Sequence, residues 1–251
     1  VLSATKPYFD EAEGDHYEET NSLGPLAEPQ IAGTMRQLIL DLLPDSPPTL
    51  DNFVPGGNEE TLAALTGWLA GQLTDTAFCL HGESGCGRSH LLLASGFAHV
   101  DAADNPALAN VTAKQQLAVD NIDALDADGQ IALFALFNQL KASGGQLLTA
   151  APQPPAHLPL REDLRTRLGS GLIYRLQPLS DAEKAAAIAT QAKERALKLS
   201  PEMISYLLRH ASRDMRTLSM LVVALDQYTL EQKRPVTLPL LRELLSLEHT
   251  A

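Results

Sequence analysis

Apolar positions along the chain follow two regimes. Up to about residue 176, short apolar runs alternate with stretches of helical spacing, whereas beyond Pro178 only helical spacing remains. The runs 76–81, 116–123, 146–151 and 172–176 predict buried strands. Helices are predicted over Glu59–Leu69, behind the N-cap candidate Asn58 and with Leu62, Leu65 and Leu69 on one face, and over Ser89–Ala94, Asp128–Ser143 and Arg161–Leu168. In the long helix, Ile131, Leu133, Phe134, Leu136, Phe137 and Leu140 are expected mostly to form the buried face, and Gly144-Gly145 ends it. This alternation predicts an α/β domain with a largely parallel sheet. Between residues 89 and 120 the pattern offers no convincing strand and helix beyond a strand around Val111, so an edge of the sheet is expected to be trimmed. After Pro178 the capping box Ser180-Asp181-Ala182-Glu183 opens a helix to about Ala196. Further helices are predicted from Ser200-Pro201, over Met215–Lys233 and from Thr237 through Leu247, making a small all-helical lid.

The octapeptide Gly82-Glu83-Ser84-Gly85-Cys86-Gly87-Arg88-Ser89 falls between a predicted strand and helix and matches G-x-x-x-x-G-K-[ST], with Arg88 in place of lysine. Its glycines let successive backbone N–H groups converge on an anion, and the following helix adds the positive end of its dipole. Nucleotide phosphate is the natural ligand; a tight structural turn is the plain alternative. Arg88 keeps the charge and bidentate phosphate contacts but is longer and planar, which suits holding phosphates better than a lysine's catalytic placement. Asp120 ends the next apolar strand, where a carboxylate beside a phosphate loop can hold Mg2+ through water; elsewhere it would read as an acid capping a turn. Asn121 stands where many such ATPases carry the acid that activates water. An amide cannot accept that proton, so unaided hydrolysis is not expected.

Composition narrows the function classes. At 251 residues the chain can bury a proper core, and Cys79 and Cys86 suit reduced thiols in a cytoplasmic protein. No apolar run is long enough to span a bilayer. The net charge of −12 argues against a broad surface for nucleic-acid phosphates, although it leaves room for a local basic patch. Residues 1–34 set seven acids against Lys6 and are expected to be a disordered acidic leader. Met35 follows directly, which favours Met35 as the natural start, with an acidic interaction tail as the alternative. Gln37-Leu38-Ile39-Leu40-Asp41-Leu42 then precedes the breaker-rich run 44–48. It is either an edge strand or a linear peptide in which the Gln37 amide hydrogen-bonds while Leu38, Leu40 and Leu42 fill a partner's groove. In the second form it resembles bacterial sliding-clamp-binding peptides.

Gly87-Arg88-Ser89-His90-Leu91-Leu92, Val119-Asp120-Asn121-Ile122, the stretch 173–181 and Asp214-Met215-Arg216-Thr217-Leu218 together resemble the AAA+ ATPases, and within them the DnaA-related Hda family. The likeness spans Gln37 to Leu247. It implies an AAA+ domain over 49–178 and a lid over 179–251, preceded by a clamp-binding peptide and linker at 35–48. It implies ADP or ATP held by Gly82, Gly85, Cys86, Gly87, Arg88, Ser89 and His90, with Arg216 as a lid sensor and Mg2+ at Asp120 and Ser89. Arg167 matches the arginine finger offered in trans to ATP on the DnaA initiator. Gln37, Leu38, Leu40 and Leu42 match the peptide for the β sliding clamp of DNA polymerase III, so that DNA is reached through the clamp. A cytoplasmic homodimer completes the set.

The residues themselves leave alternatives: Arg167 could pair with Asp163 at i and i+4, Arg216 could pair near Asp214 or face solvent, and Arg165 competes as the finger. Pro152-Gln153 also stands where related ATPases offer a polar sensor. The implied function is negative regulation of replication initiation. The alternatives are an autonomous ATPase of helicase-loader type and a non-catalytic clamp adaptor with a decayed nucleotide site.

Overall fold

The computed structural model describes residues 47–112, 115–211 and 214–246. The acidic leader, Met35 and the clamp-peptide candidates Gln37, Leu38, Leu40 and Leu42 lie outside the described residues. Within them, five strands form one parallel sheet: β1 (Ala77–His81), β2 (Ala98–Asp101), β3 (Gln116–Asp120), β4 (Gln146–Ala151) and β5 (Leu172–Arg175), in the order β2-β3-β4-β1-β5. Helices cover both faces, which is why the inner strands are apolar at successive rather than alternate positions. Ala77 and Cys79 share a core with Leu133, Phe137 and Leu140 of α3 (Ala127–Ser143) and Leu164 and Leu168 of α4 (Glu162–Gly169). Phe78 and Leu80 share the other with Leu65 and Trp68 of α1 (Glu59–Leu69) and Leu91 and Leu92 of α2 (Arg88–Ala94). Trp68 anchors that face: its indole N–H donates to the Asp75 carbonyl at 2.6 Å, and its ring lies 5.3 Å from Phe78 and 5.8 Å from Phe97.

Three expectations change. The sheet edge is not trimmed: β2 follows α2 almost at once, and no strand forms at Val111. Residues 102–115 then connect β2 to β3 without a helix among the described residues. Leu108 is buried in this connection, and the Pro106 carbonyl accepts from Asp126 N–H at 3.2 Å at the start of α3. Second, Ile131 is 50% exposed. The buried stripe of α3 runs through Leu133, Leu136, Phe137 and Leu140, with the half-buried Phe134 packed against the same core and Ile131 turned to solvent. Third, Asn58 stands at the N-cap of α1 but does not cap it. Its amide donates to the carbonyls of Pro55 and Gln177, both at 2.9 Å, and its oxygen accepts from Gln177 N–H at 2.8 Å.

The C-terminal helices are α5 (Asp181–Glu194), α6 (Pro201–His210), α7 (Met215–Gln232) and α8 (Leu238–Ser246). They pack on their own core of Ile188, Ile204, Leu207, Leu218, Val222, Leu225 and Leu241. The Ser180–Glu183 capping box forms as expected, and Ser200 caps α6 by accepting from Met203 N–H at 3.3 Å. No helix among the described residues is long and apolar enough to cross a membrane.

Candidate functional site

Parallel strands bring their carboxyl ends to one rim, the usual place for ligands in α/β sheets. There Gly82–Gly87 loops from β1 into α2. Gly87 has φ +97°, and a Cβ on it would stand 2.7 Å from the Phe53 ring, so the residue is held to glycine by both conformation and space. Cys86 is buried under the loop, and that burial pushes its thiol pKa up against the opposing charge of Arg88. Ser89 is exposed on the first turn of α2. Arg88 carries the most informative atom: its Nη1 is buried and has no hydrogen-bond partner. A buried guanidinium donor without an acceptor is costly unless an anion completes it.

A segment missed by sequence reasoning covers this loop. Residues 47–58 lie across α2 as a strap: His90 Nε2 is 2.9 Å from the Thr49 carbonyl, so that nitrogen carries the proton, and the His90 and Phe53 rings are 5.5 Å apart. Burial lowers the His90 pKa; the Thr49 carbonyl opposes this, and the charge of Arg216 adds to it. Arg216, at the start of α7, is thus within electrostatic reach of His90. The strap also meets the lid junction. Gly56 has φ +52°, and a Cβ there would collide with Leu179. Glu183 accepts from the Ser180 hydroxyl at 2.6 Å and from Ser180 N–H at 2.8 Å, and its pKa is lowered by the first, then the second, with a smaller effect from Gly57 N–H. The available signal was Phe53-Val54-Pro55-Gly56-Gly57, an aromatic followed by breakers just ahead of the first helix.

Asp120 is 1% exposed at the end of β3, and one of its oxygens accepts from Asn121 N–H at 2.8 Å. Asn121 adopts a left-handed backbone, φ +50°, and its amide donates to both oxygens of Asp101 at 2.9 and 3.1 Å. Asp101 is the register partner of Asp120 and ends β2. The Asn121 amide therefore clasps the tips of two strands. Among the described residues no three His, Cys, Asp or Glu side chains group as metal ligands. After β4, Pro152 and Gln153 are exposed, while the polar Thr149 within it is buried and donates to Cys79 Sγ at 3.1 Å.

Arg167 lies on α4, which packs on the sheet face opposite α2. The alternative pair with Asp163 does not form, because Arg161 takes that carboxylate at 2.8 Å. The exposed Arg167 guanidinium instead sits over the Phe134 ring, 6.0 Å from its centroid. It borders a shallow hollow of about 790 Å³ lined by Phe134, Arg161, Glu162, Asp163, Thr166 and Arg167. Arg165 is half-buried.

The sheet order, the phosphate loop after β1 and the helical unit behind β5 define an AAA+ fold. Structures of that class are similar to the chain. Domain III of DnaA from Thermotoga maritima matches with TM-score 0.61 and 19% identity over 81% of this chain and 97% of that one. AMPPCP-bound DnaA from Aquifex aeolicus matches with TM-score 0.57 and 24% identity over 74% and 69% of the two chains. The RuvB Holliday junction branch migration motor of Thermotoga maritima gives 0.55 and 16% over 80% and 72%. Residues 181–245 match the family model of the Hda lid domain. The chain therefore has the AAA+ fold, and its C-terminal helical unit is similar to the Hda lid domain.

Proposed function

We propose that the chain is a negative regulator of a DnaA-type initiator, which acts by presenting Arg167 to ATP held on that partner. The observation that carries this is the state of Arg167: exposed, released from Asp163 by Arg161, and on the sheet face away from the chain's own phosphate loop. A guanidinium brought to a γ-phosphate stabilises the charge that spreads over its oxygens. The Hda lid match supports DnaA as the kind of partner.

In this proposal residues 49–178 and 179–251 form the nucleotide-binding domain and its lid. Gly82, Gly85, Cys86, Gly87, Arg88, Ser89, His90 and Arg216 would hold ADP or ATP. The unpartnered buried Nη1 of Arg88 fits a bound phosphate, and the adenine-nucleotide analogue on an Aquifex aeolicus relative points to the same ligand class. Asp120 and Ser89 would hold Mg2+, whose chemistry is to neutralise phosphate charge. Asn121, engaged with Asp101, supplies no general base, so the chain's own nucleotide serves to fix the lid. Gln37, Leu38, Leu40 and Leu42 would seat the protein on the sliding clamp, and a homodimer in the cytoplasm is the proposed form.

The test is ATP turnover by DnaA with DNA-loaded clamp. Wild-type protein is expected to stimulate it, and Arg167→Ala protein to lose the stimulation by several orders of magnitude while still binding the clamp. Full stimulation by the variant overturns the finger. Calorimetry with ADP and ATP on Arg88→Ala protein tests the resident nucleotide separately.

A further inference from the structure

Arg167 has a competitor for its charge one helical turn away. Asp163 precedes it by four positions on α4, the spacing at which an acid and a base meet on one helix face, with the acid on the favourable N-terminal side. Both residues line the same hollow. The pair is nevertheless absent. Asp163 Oδ2 accepts from Arg161 Nη2 at 2.8 Å, and its Oδ1 accepts from the Leu164 N–H at 2.8 Å, so each carboxylate oxygen already carries a donor. Arg161 is itself fixed from the other side: it stands at the N-cap of α4, and its backbone N–H donates to Gln130 Oε1 at 2.8 Å. The Gln130 amide donates in turn to the Leu125 carbonyl at 3.2 Å, which ties Arg161 to the turn that opens α3. Glu162, the other acid of the hollow, is five positions from Arg167, outside the pairing spacing.

We infer that Arg161 is a positioning residue for the finger: by occupying Asp163 it keeps the Arg167 guanidinium open to a phosphate on the partner. This rests on the proposed role of Arg167 and adds the residue that governs it. A carboxylate beside Arg167 would take two parallel N–H groups of its fork and cancel its charge. The Phe134 ring, 6.0 Å away, takes neither, because a guanidinium over an aromatic face keeps its in-plane N–H donors free. Arg167 is thus held by a contact that leaves intact what a phosphate needs, and Arg161 bars the contact that would not. Both members of the Arg161–Asp163 pair are exposed, so the pair adds little to the stability of the fold. Its consequence lies in which arginine Asp163 engages.

The experiment is ATP turnover by DnaA with DNA-loaded clamp, stimulated by saturating full chain. Arg161→Gln releases Asp163, and an ion pair of ordinary strength at this spacing then holds Arg167 for more than half of the time. Stimulated turnover is expected to fall about two- to threefold at an unchanged half-saturating concentration. Arg161→Gln/Asp163→Asn is expected to restore the wild-type rate, and Asp163→Asn or Glu162→Gln alone to leave it unchanged, all with thermal midpoints close to wild type. A wild-type rate with Arg161→Gln overturns the inference. So does a loss that Asp163→Asn fails to rescue, which would make Arg161 a direct contact of the partner. Arg167→Ala in the same assay separates the two roles: its loss of stimulation beside a fully active Arg161→Gln removes the positioning role alone, whereas full stimulation by Arg167→Ala removes the finger and the positioning role with it.

Discussion

Replacing Asn121 by aspartate tests the account of why an amide occupies this position. The substitution removes a donor that serves both Asp101 oxygens at 2.9 and 3.1 Å and sets a second carboxylate in its place. Loss of hydrogen bonding to a charged group costs about 1.5–3 kcal/mol. Repulsion between unit charges about 4 Å apart adds ~1 kcal/mol in bulk water and ~4 kcal/mol at an effective dielectric near 20. Both residues are half-buried, so solvent screens part of the repulsion, and the expected destabilisation at pH 7 is about 3 kcal/mol. The backbone adds little, since aspartate tolerates the left-handed region nearly as well as asparagine. Urea unfolding of both proteins at pH 7 and pH 4.5 measures it. In the variant the folded state binds a proton more tightly than the unfolded chain, because the neighbouring carboxylate raises the pKa of the pair. The deficit is therefore full at neutral pH and shrinks as pH falls through the raised value. A deficit below about 0.5 kcal/mol at pH 7, or one that does not change with pH, refutes the clasp.

Glu183 has a lowered pKa, so its bonds to Ser180 and Gly57 are intact at neutral pH and are lost only as pH drops through that value; the Gly57 amide resonance should titrate below 4.5 in wild-type protein and not at all in Glu183→Gln. Burial raises the Cys79 pKa to about 11, and burial raises that of Cys86 as well. Thiol labelling at pH 8 should therefore be slow for both until urea unfolds the chain. On the proposed function, Phe134→Leu should reduce stimulation of DnaA turnover about fivefold, the equivalent of ~1 kcal/mol of cation–π contact, while Phe134→Tyr keeps it; equal activity of the leucine and tyrosine variants would show that the ring does not hold Arg167.

What was legible in the sequence depended on whether the decisive interaction was local. The strand 77–81, the phosphate loop and the helix after it follow from adjacent residues, as does the Ser180–Glu183 box, and all four appear in the structure. Ile131 was misplaced because the apolar positions of α3 surround most of the helix, and only tertiary packing shows which stripe is inside. The edge strand β2 was missed because Ala98 and His99 are exposed, Val100 and Asp101 are only half-buried, and the four lack a strong apolar pattern. Partner choice was the least visible property. Asn58 has the chemistry of an N-cap and is used instead by Gln177, Asp163 is claimed by Arg161 rather than Arg167, and Asn121 finds Asp101 twenty positions away.

The hydrogen bonds between Asn58 and Gln177 join residues 119 positions apart. Closing a loop of that length costs chain entropy before any contact repays it. We therefore expect the strap to seat on the β5–lid junction after the sheet has formed, on the native side of the folding barrier. Interactions made there leave the folding rate almost untouched and slow unfolding. A nucleotide bound at the phosphate loop as proposed should accordingly lengthen the lifetime of the native state, shifting the unfolding limb of the chevron while the folding limb stays in place.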